Sequence, residues 1–310
     1  MILKDEKLFL ETRQSKKLPN FILAVILAYT FVFVGQFIGG IILHILFSLD
    51  LGWDFNNALL MQFLNLTIGF VFIIILVFLV VKFIGKRSVT TMGLKKENLL
   101  LNYLRGFGVG ILLMSAVVAL LYLAGCVEIE KNVLQPVGKF AILNVLIILP
   151  GWIIQSAAEE IVTRGWLMNV LGARYNGVIA LIVSASLFGL LHLGNPNISF
   201  IAILNIILSG LLFGLYVIKT KDLWGACGIH AAWNFAQGNI FGFEVSGLPM
   251  KAGSIIDLRL VGNDMFSGGI FGPEAGLAGT IVLGVSILVL IYMIKKEKET
   301  LSNSKITMFK

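Results

Sequence analysis

Long apolar runs, separated by short polar stretches, dominate the chain. Eight runs reach or approach helical spanning length, at roughly 20–47, 58–83, 106–126, 140–171, 178–193, 199–218, 223–241 and 277–294. A helix needs about 20 apolar residues to cross the hydrocarbon core. The runs are continuous rather than alternating, which predicts helices and not the strands of a membrane barrel. The fifth and seventh are short and carry polar groups, so neighbouring helices must shield them. The pattern predicts an all-α fold, a polytopic membrane helix bundle of about eight transmembrane helices. No polar linker, internal repeat or low-complexity tract divides it, so residues 1–310 are read as a single membrane domain. The first run is too long for a signal peptide and lacks a small-residue cleavage site, so it is expected to be retained.

Small residues refine the packing expected of these helices. Gly35 and Gly39, Gly106 and Gly110, and Gly210 and Gly214 have the four-residue spacing that lets helices approach closely. Segment 86–105 mixes Lys, Glu and Asn with Leu99, Leu100 and Leu101 and is expected to lie flat on the membrane surface. Segment 242–276 holds eight glycines and is too long for a simple connector. It is read as an external loop that folds back over the helices.

Composition agrees with a membrane protein. The chain is 58% hydrophobic and 13% charged, with a mean hydropathy of +0.94, whereas soluble domains run near 45–50% and 25%. A net charge of +7 would suggest nucleic acid in a soluble protein. Here the basic residues read as topology signals and contacts to the lipid bilayer, and no nucleic-acid partner is expected. With the N-terminus in the cytoplasm, basic residues cluster in the N-terminal tail from Lys4, in 82–105, at Arg174, at Lys219 and Lys221, and in the tail to Lys310. With Arg164 placed deeper on the same side as Arg174, only Lys131, Lys139, Lys251 and Arg259 of the 24 fall outside that pattern. A multi-pass protein of the cytoplasmic (plasma) membrane with both termini cytoplasmic is therefore expected. Cys126 and Cys227 lie far apart and form no metal motif or evident disulfide.

Chemistry concentrates in 140–241, read as the catalytic core. Glu159, Glu160 and Arg164 follow an uncharged stretch beginning at Phe140. An ionised side chain at mid-bilayer costs roughly 2.5–3.5 kcal/mol on insertion scales, so such residues are rare there and usually functional. Glu160 and Arg164 stand four apart on one helix face and suit a salt bridge. Glu159 points about 100° away and lacks that partner, which suits general acid–base work. His192 follows the turn near Gly172–Gly177 at about the offset by which Glu159 precedes it, so the two can face each other across a helical hairpin. Phe188 lies on the face of His192. His230 and Asn234, again four apart, both supply hydrogen-bond donors of the kind a developing oxyanion requires. A lone His in a membrane helix ordinarily bonds a neighbouring helix, and His44 is read that way. Trp152, Trp166, Trp224 and Trp233 are read as interfacial anchors or cavity walls.

Glu159-Glu160-x-x-x-Arg164, Phe188-x-x-x-His192 and His230-x-x-x-Asn234, in that order, resemble the three motifs of the CAAX protease and bacteriocin-processing (CPBP, or Abi) family of intramembrane proteases, which includes the type II CAAX prenyl endopeptidases. Phe271-Gly272-Pro273-Glu274 also resembles segments of bacterial members. The resemblance implies hydrolysis of a peptide or protein substrate at the membrane of a bacterium. It implies Glu159 as the base that activates water with the aid of His192, His230 and Asn234 as oxyanion donors, and Glu160 and Arg164 as braces. Bacteriocin-leader processing or immunity is the bacterial role it implies, with a cavity open to the cytoplasmic side. Its metal-dependent alternative is zinc on His192, His230 and either Glu159 or Glu160. No His-Glu-x-x-His helix is present and His230 pairs naturally with an amide, so the expected mechanism uses no cofactor. Two rivals remain: a non-catalytic scaffold or immunity/regulatory partner of the same fold, whose mark would be loss of Glu159 or His192, and a transporter, whose mark would be two related halves.

Overall fold

The computed structural model describes residues 6–308 apart from 50, 51 and 55, so Lys4 and Lys310 lie outside the described residues. A short helix α1 (Lys7–Arg13) precedes α2 (Phe21–Ser48), α3 (Ala58–Leu79) and α4 (Leu99–Leu123). Strand β1 (Val127–Ile129) leads to α5 (Ile142–Glu160), whose axis continues through π-type turns at Ile161–Met168 into α6 (Asn169–Arg174). Then come α7 (Gly177–Leu191), α8 (Phe200–Thr220) and α9 (Trp224–Phe235). Strand β2 (Leu258–Leu260), α10 (Asp264–Ser267) and α11 (Leu277–Met308) complete the order.

Local sequence explains where the helices begin. Asn20, Asn57, Asn176 and Ser199 each accept a hydrogen bond from a backbone N–H three residues on, at 2.9–3.1 Å. Each such cap stabilises its helix by about 1 kcal/mol. Between these ends, apolar length sustains the helix.

Among the described residues, six helices are long and apolar enough to cross a membrane: Phe21–Ser48, Ala58–Ile84, Leu99–Leu123, Ile142–Arg174, Phe200–Thr220 and Leu277–Thr300. The expectation of about eight spans is thereby corrected. The run expected at 178–193 becomes α7, whose 15 residues reach only about 22 Å against a core of about 30 Å. The run expected at 223–241 becomes α9 followed by π turns at Ala236–Ile240, and every residue from Gly225 to Phe235 is buried. Neither is long enough to count as a span: α9 is wholly enclosed by its neighbours, whereas α7 buries one face and exposes Val178, Ile182 and Leu190 on the other.

The α4–α9 pair shows why glycine is required at the contact. A Cβ on Gly106 would stand 1.9 Å from the Gly225 carbonyl oxygen, and one on Gly228 would stand 2.3 Å from that of Tyr103. Segment 86–105 does not lie flat as a unit. Val89–Met92 forms a 3-10 turn, Met92 and Leu94 are buried, and 99–105 are the first turns of α4. The stretch 242–276 does fold back: β2 pairs antiparallel with β1, and Phe271–Ala275 is buried.

Candidate functional site

The π turns begin directly after Glu160 and carry Thr163 and Arg164. Such turns frequently occur at functional sites because they re-aim side chains without ending the helix. Thr163 Oγ1 donates to the Glu159 carbonyl (2.6 Å), and Ser184 Oγ of α7 donates to the Thr163 carbonyl (2.8 Å). Side chains thus satisfy backbone groups in the irregular stretch and hold it against α7.

Arg164 is fully buried. Its Nη1 donates to Glu160 Oε1 at 2.8 Å and to Thr163 Oγ1 at 2.7 Å, and its guanidinium lies 4.4 Å from the Phe188 ring centre and 5.4 Å from that of Phe213. The same Glu160 Oε1 lies 3.1 Å from His230 Nδ1. His230 stacks on Phe213 at 5.1 Å and meets Phe188 edge-on. The imidazole is therefore locked in orientation by two rings and a carboxylate. A carboxylate on Nδ1 favours the proton there and turns Nε2 outward.

That outward nitrogen faces Glu159. His230 Nε2 stands 3.8 Å from Glu159 Oε2, beyond a direct hydrogen bond. Glu159 Oε1 accepts from Gln155 Nε2 at 2.8 Å. Gln155 Oε1 in turn accepts from Asn234 Nδ2 (3.2 Å) and Ser156 Oγ (3.0 Å). One oxygen of Glu159 is held, whereas the other has no hydrogen-bond partner among the described residues. Glu159, Gln155, His192, His230 and Asn234 all line one cavity of about 540 Å³, walled by Trp152 and by residues of α2, α3 and the Val245–Lys251 loop.

The imidazole that approaches Glu159 is that of His230, whereas the hairpin offset had placed His192 opposite it. Helix α7 ends at Leu191, so His192 is its C-cap, and its Nδ1 turns back to the Phe188 carbonyl at 2.8 Å. His192 and Glu159 share the cavity without a direct ion pair among the described residues. Phe188 packs on both histidines and on Arg164. Two residues escaped the sequence reading. Gln155 was legible as a polar residue four before Glu159. Glu274 stood in a quoted motif without a role: it accepts from Ser246 N (2.5 Å), Ser246 Oγ (3.2 Å) and Gln237 Nε2 (3.2 Å). Burial raises the pKa of Glu274 above its usual range, opposed by those hydrogen bonds.

The model of the Type II CAAX prenyl endopeptidase Rce1-like family matches residues 140–236, the segment from the start of α5 to the end of α9. No curated protein and no solved structure matches the chain. The match and the buried His230–Glu160/Glu159 group are together consistent with an intramembrane hydrolase.

Proposed function

We propose that the protein is an intramembrane endopeptidase that hydrolyses peptide bonds of a membrane-associated protein or peptide, with Glu159 activating water. The observation that carries this reading is the asymmetry of the Glu159 carboxylate: Oε1 is held by Gln155, and Oε2 has no hydrogen-bond partner among the described residues, at 3.8 Å from His230 Nε2 in a cavity shared with His192. A base must be held in place and yet keep one oxygen free for the proton it takes.

In the proposed reaction Glu159 removes a proton from water as the water oxygen bonds to the scissile carbonyl carbon. The oxyanion that forms accepts from the second N–H of Asn234, whose first is directed to Gln155, while His230, with Nδ1 on Glu160 and Nε2 toward Glu159, holds the two carboxylates in place. As the carbon–nitrogen bond breaks, the proton held by Glu159 passes to the leaving amine. The products are a new carboxylate and a new amino terminus. His192, with Nδ1 directed to a carbonyl, keeps Nε2 as an acceptor for the water.

Zinc would draw on His192, His230 and one of the two glutamates. Among the described residues, no three His, Cys, Asp or Glu side chains are grouped as a metal site. Both nitrogens of His230 already face carboxylates, and Nδ1 of His192 faces a backbone carbonyl.

The test is cleavage of an apolar peptide library by purified protein in detergent, read by mass spectrometry. Glu159→Gln, which preserves size and the bond from Gln155, is expected to lower kcat by roughly 10²–10⁴-fold. Unchanged turnover in that variant removes Glu159 from the chemistry. Retention of the cellular phenotype by both Glu159→Gln and His192→Ala favours a scaffold.

A further inference from the structure

The two ends of the bundle differ in charge and in closure. At one end, Arg174 Nη1 donates to the Leu18 carbonyl (2.8 Å), Leu223 N to that of Gly93 (3.0 Å) and Trp224 Nε1 to that of Lys95 (2.7 Å). This end therefore gathers α1, the 86–98 connection, the α6–α7 turn and the α8–α9 turn. At the other end, Gly138 N donates to the Ser254 carbonyl (3.0 Å), Asn195 Nδ2 to that of Ser246 (3.0 Å) and Gln62 Nε2 to Met250 Sδ (2.9 Å). The β1–β2 pair belongs to this second end.

Charge assigns the ends. Among the connections at the second end, the basic residues are Lys131, Lys139, Lys251 and Arg259, whereas the first end carries Arg13, Lys16, Lys86, Arg87, Lys95 and Lys96 among others. The positive-inside rule makes the first end cytoplasmic. That end is also sealed: Phe9, Met92, Leu171 and Leu223 are fully buried, and a Cβ on Gly172 would stand 2.5 Å from the Phe9 ring. The cavity holding Glu159 reaches the opposite end, where Ala58, Leu248, Pro249 and Lys251 line it and the last three are exposed. No residue of the connections at the basic end lines it among the described residues.

We infer that the site opens to the extracytoplasmic face and that its substrate is an apolar peptide segment presented from that face. This reverses the cytoplasmic opening that the family resemblance implies. The word substrate rests on the endopeptidase reading; the side of access does not. The chemical class follows from the walls. Most of the wall surface is apolar although the lining residues divide almost evenly between apolar and polar types, and the carboxamides of Gln36 on α2 and Asn65 on α3 line the cavity exposed, without a protein hydrogen bond among the described residues. A carboxamide donates and accepts at once, which matches the alternating N–H and C=O of an extended peptide backbone.

Two measurements test this. Asn65→Cys and, separately, Lys96→Cys are made in a Cys126→Ser background; Cys227 is buried and is kept. Intact cells are treated with a charged, membrane-impermeant thiol reagent. Asn65→Cys is expected to react as fully as in permeabilised cells, and Lys96→Cys only after permeabilisation. Reaction of Asn65→Cys only after permeabilisation, or not at all in a folded protein that Lys251→Cys shows to be equally closed, overturns the inference. In the second measurement, sealed right-side-out and inverted vesicles receive an impermeant, quenched apolar peptide, with Glu159→Gln as the zero. Cleavage confined to right-side-out vesicles is expected, and cleavage confined to inverted ones overturns the assignment. Cleavage in neither removes the hydrolase reading and the substrate class with it, while the thiol labelling still decides the side of access.

Discussion

Replacing Arg164 with Met should destabilise the protein far more than loss of a surface charge, and a second substitution should restore it. Arg164 and Glu160 side chains are both 0% exposed and joined at 2.8 Å. Removing one partner of such a pair leaves an uncompensated buried charge, which costs about 3–5 kcal/mol. The loss includes a guanidinium stacked 4.4 Å from the Phe188 ring, although Met keeps much of that apolar contact. Glu160→Gln should cost a similar amount, because it strands the guanidinium and weakens the bond to His230 Nδ1 at 3.1 Å. The double variant buries no net charge and should lie within about 1–2 kcal/mol of the parent. The expected coupling is therefore about 3 kcal/mol or more. Reversible unfolding in mixed micelles, followed by tryptophan fluorescence across a titration with denaturing detergent, measures each corner of the cycle. Coupling of about 1 kcal/mol or less, the value for exposed pairs, would refute the claim that this pair is dry and structural.

Three further outcomes follow from the same geometry. Gln155→Leu removes the 2.8 Å bond to Glu159 Oε1; a hydrogen bond to a charged group contributes about 1.5–3 kcal/mol, so kcat should fall roughly 10–100-fold with KM unchanged, and an unaltered kcat would deny Gln155 a positioning role. Gly106→Ala sets a methyl 1.9 Å from the Gly225 carbonyl oxygen; it should separate α4 from α9 and lower the melting temperature, whereas a parental melting temperature would show that the helices part at no cost. Glu274 has a folded pKa raised by burial, so its contribution favours the fold below its unfolded pKa and fades as pH rises through the folded value; thermal stability should fall with rising pH over this range, and Glu274→Gln should flatten that slope. An identical pH slope in the variant would assign the dependence to other groups.

Apolar run length and the placement of charge within it are properties of local sequence, so they were legible without coordinates. They established an all-helical membrane bundle, the polar cluster on the fourth and later apolar runs, and the Glu160–Arg164 pair, because helical spacing alone joins residues four apart. Gly106 likewise announced a close contact, but not that α9 is the helix it meets. Tertiary structure decided what depends on how helices end and pack. It cut α7 and α9 below span length and enclosed α9 completely, so that burial among neighbours, and not apolar length, keeps the polar groups of α9 from lipid. It brought His230 rather than His192 to Glu159, because α7 ends at Leu191 and the cap turns the His192 ring back toward its own helix. It recruited Gln155 to hold one oxygen of the base, and it drew 242–276 down so that Glu274 reaches a loop at the cavity rim. Sequence spacing sets which side chains share a helix face; the rotation of each helix about its axis, and where it stops, sets which faces meet, and those are fixed only when the whole bundle packs.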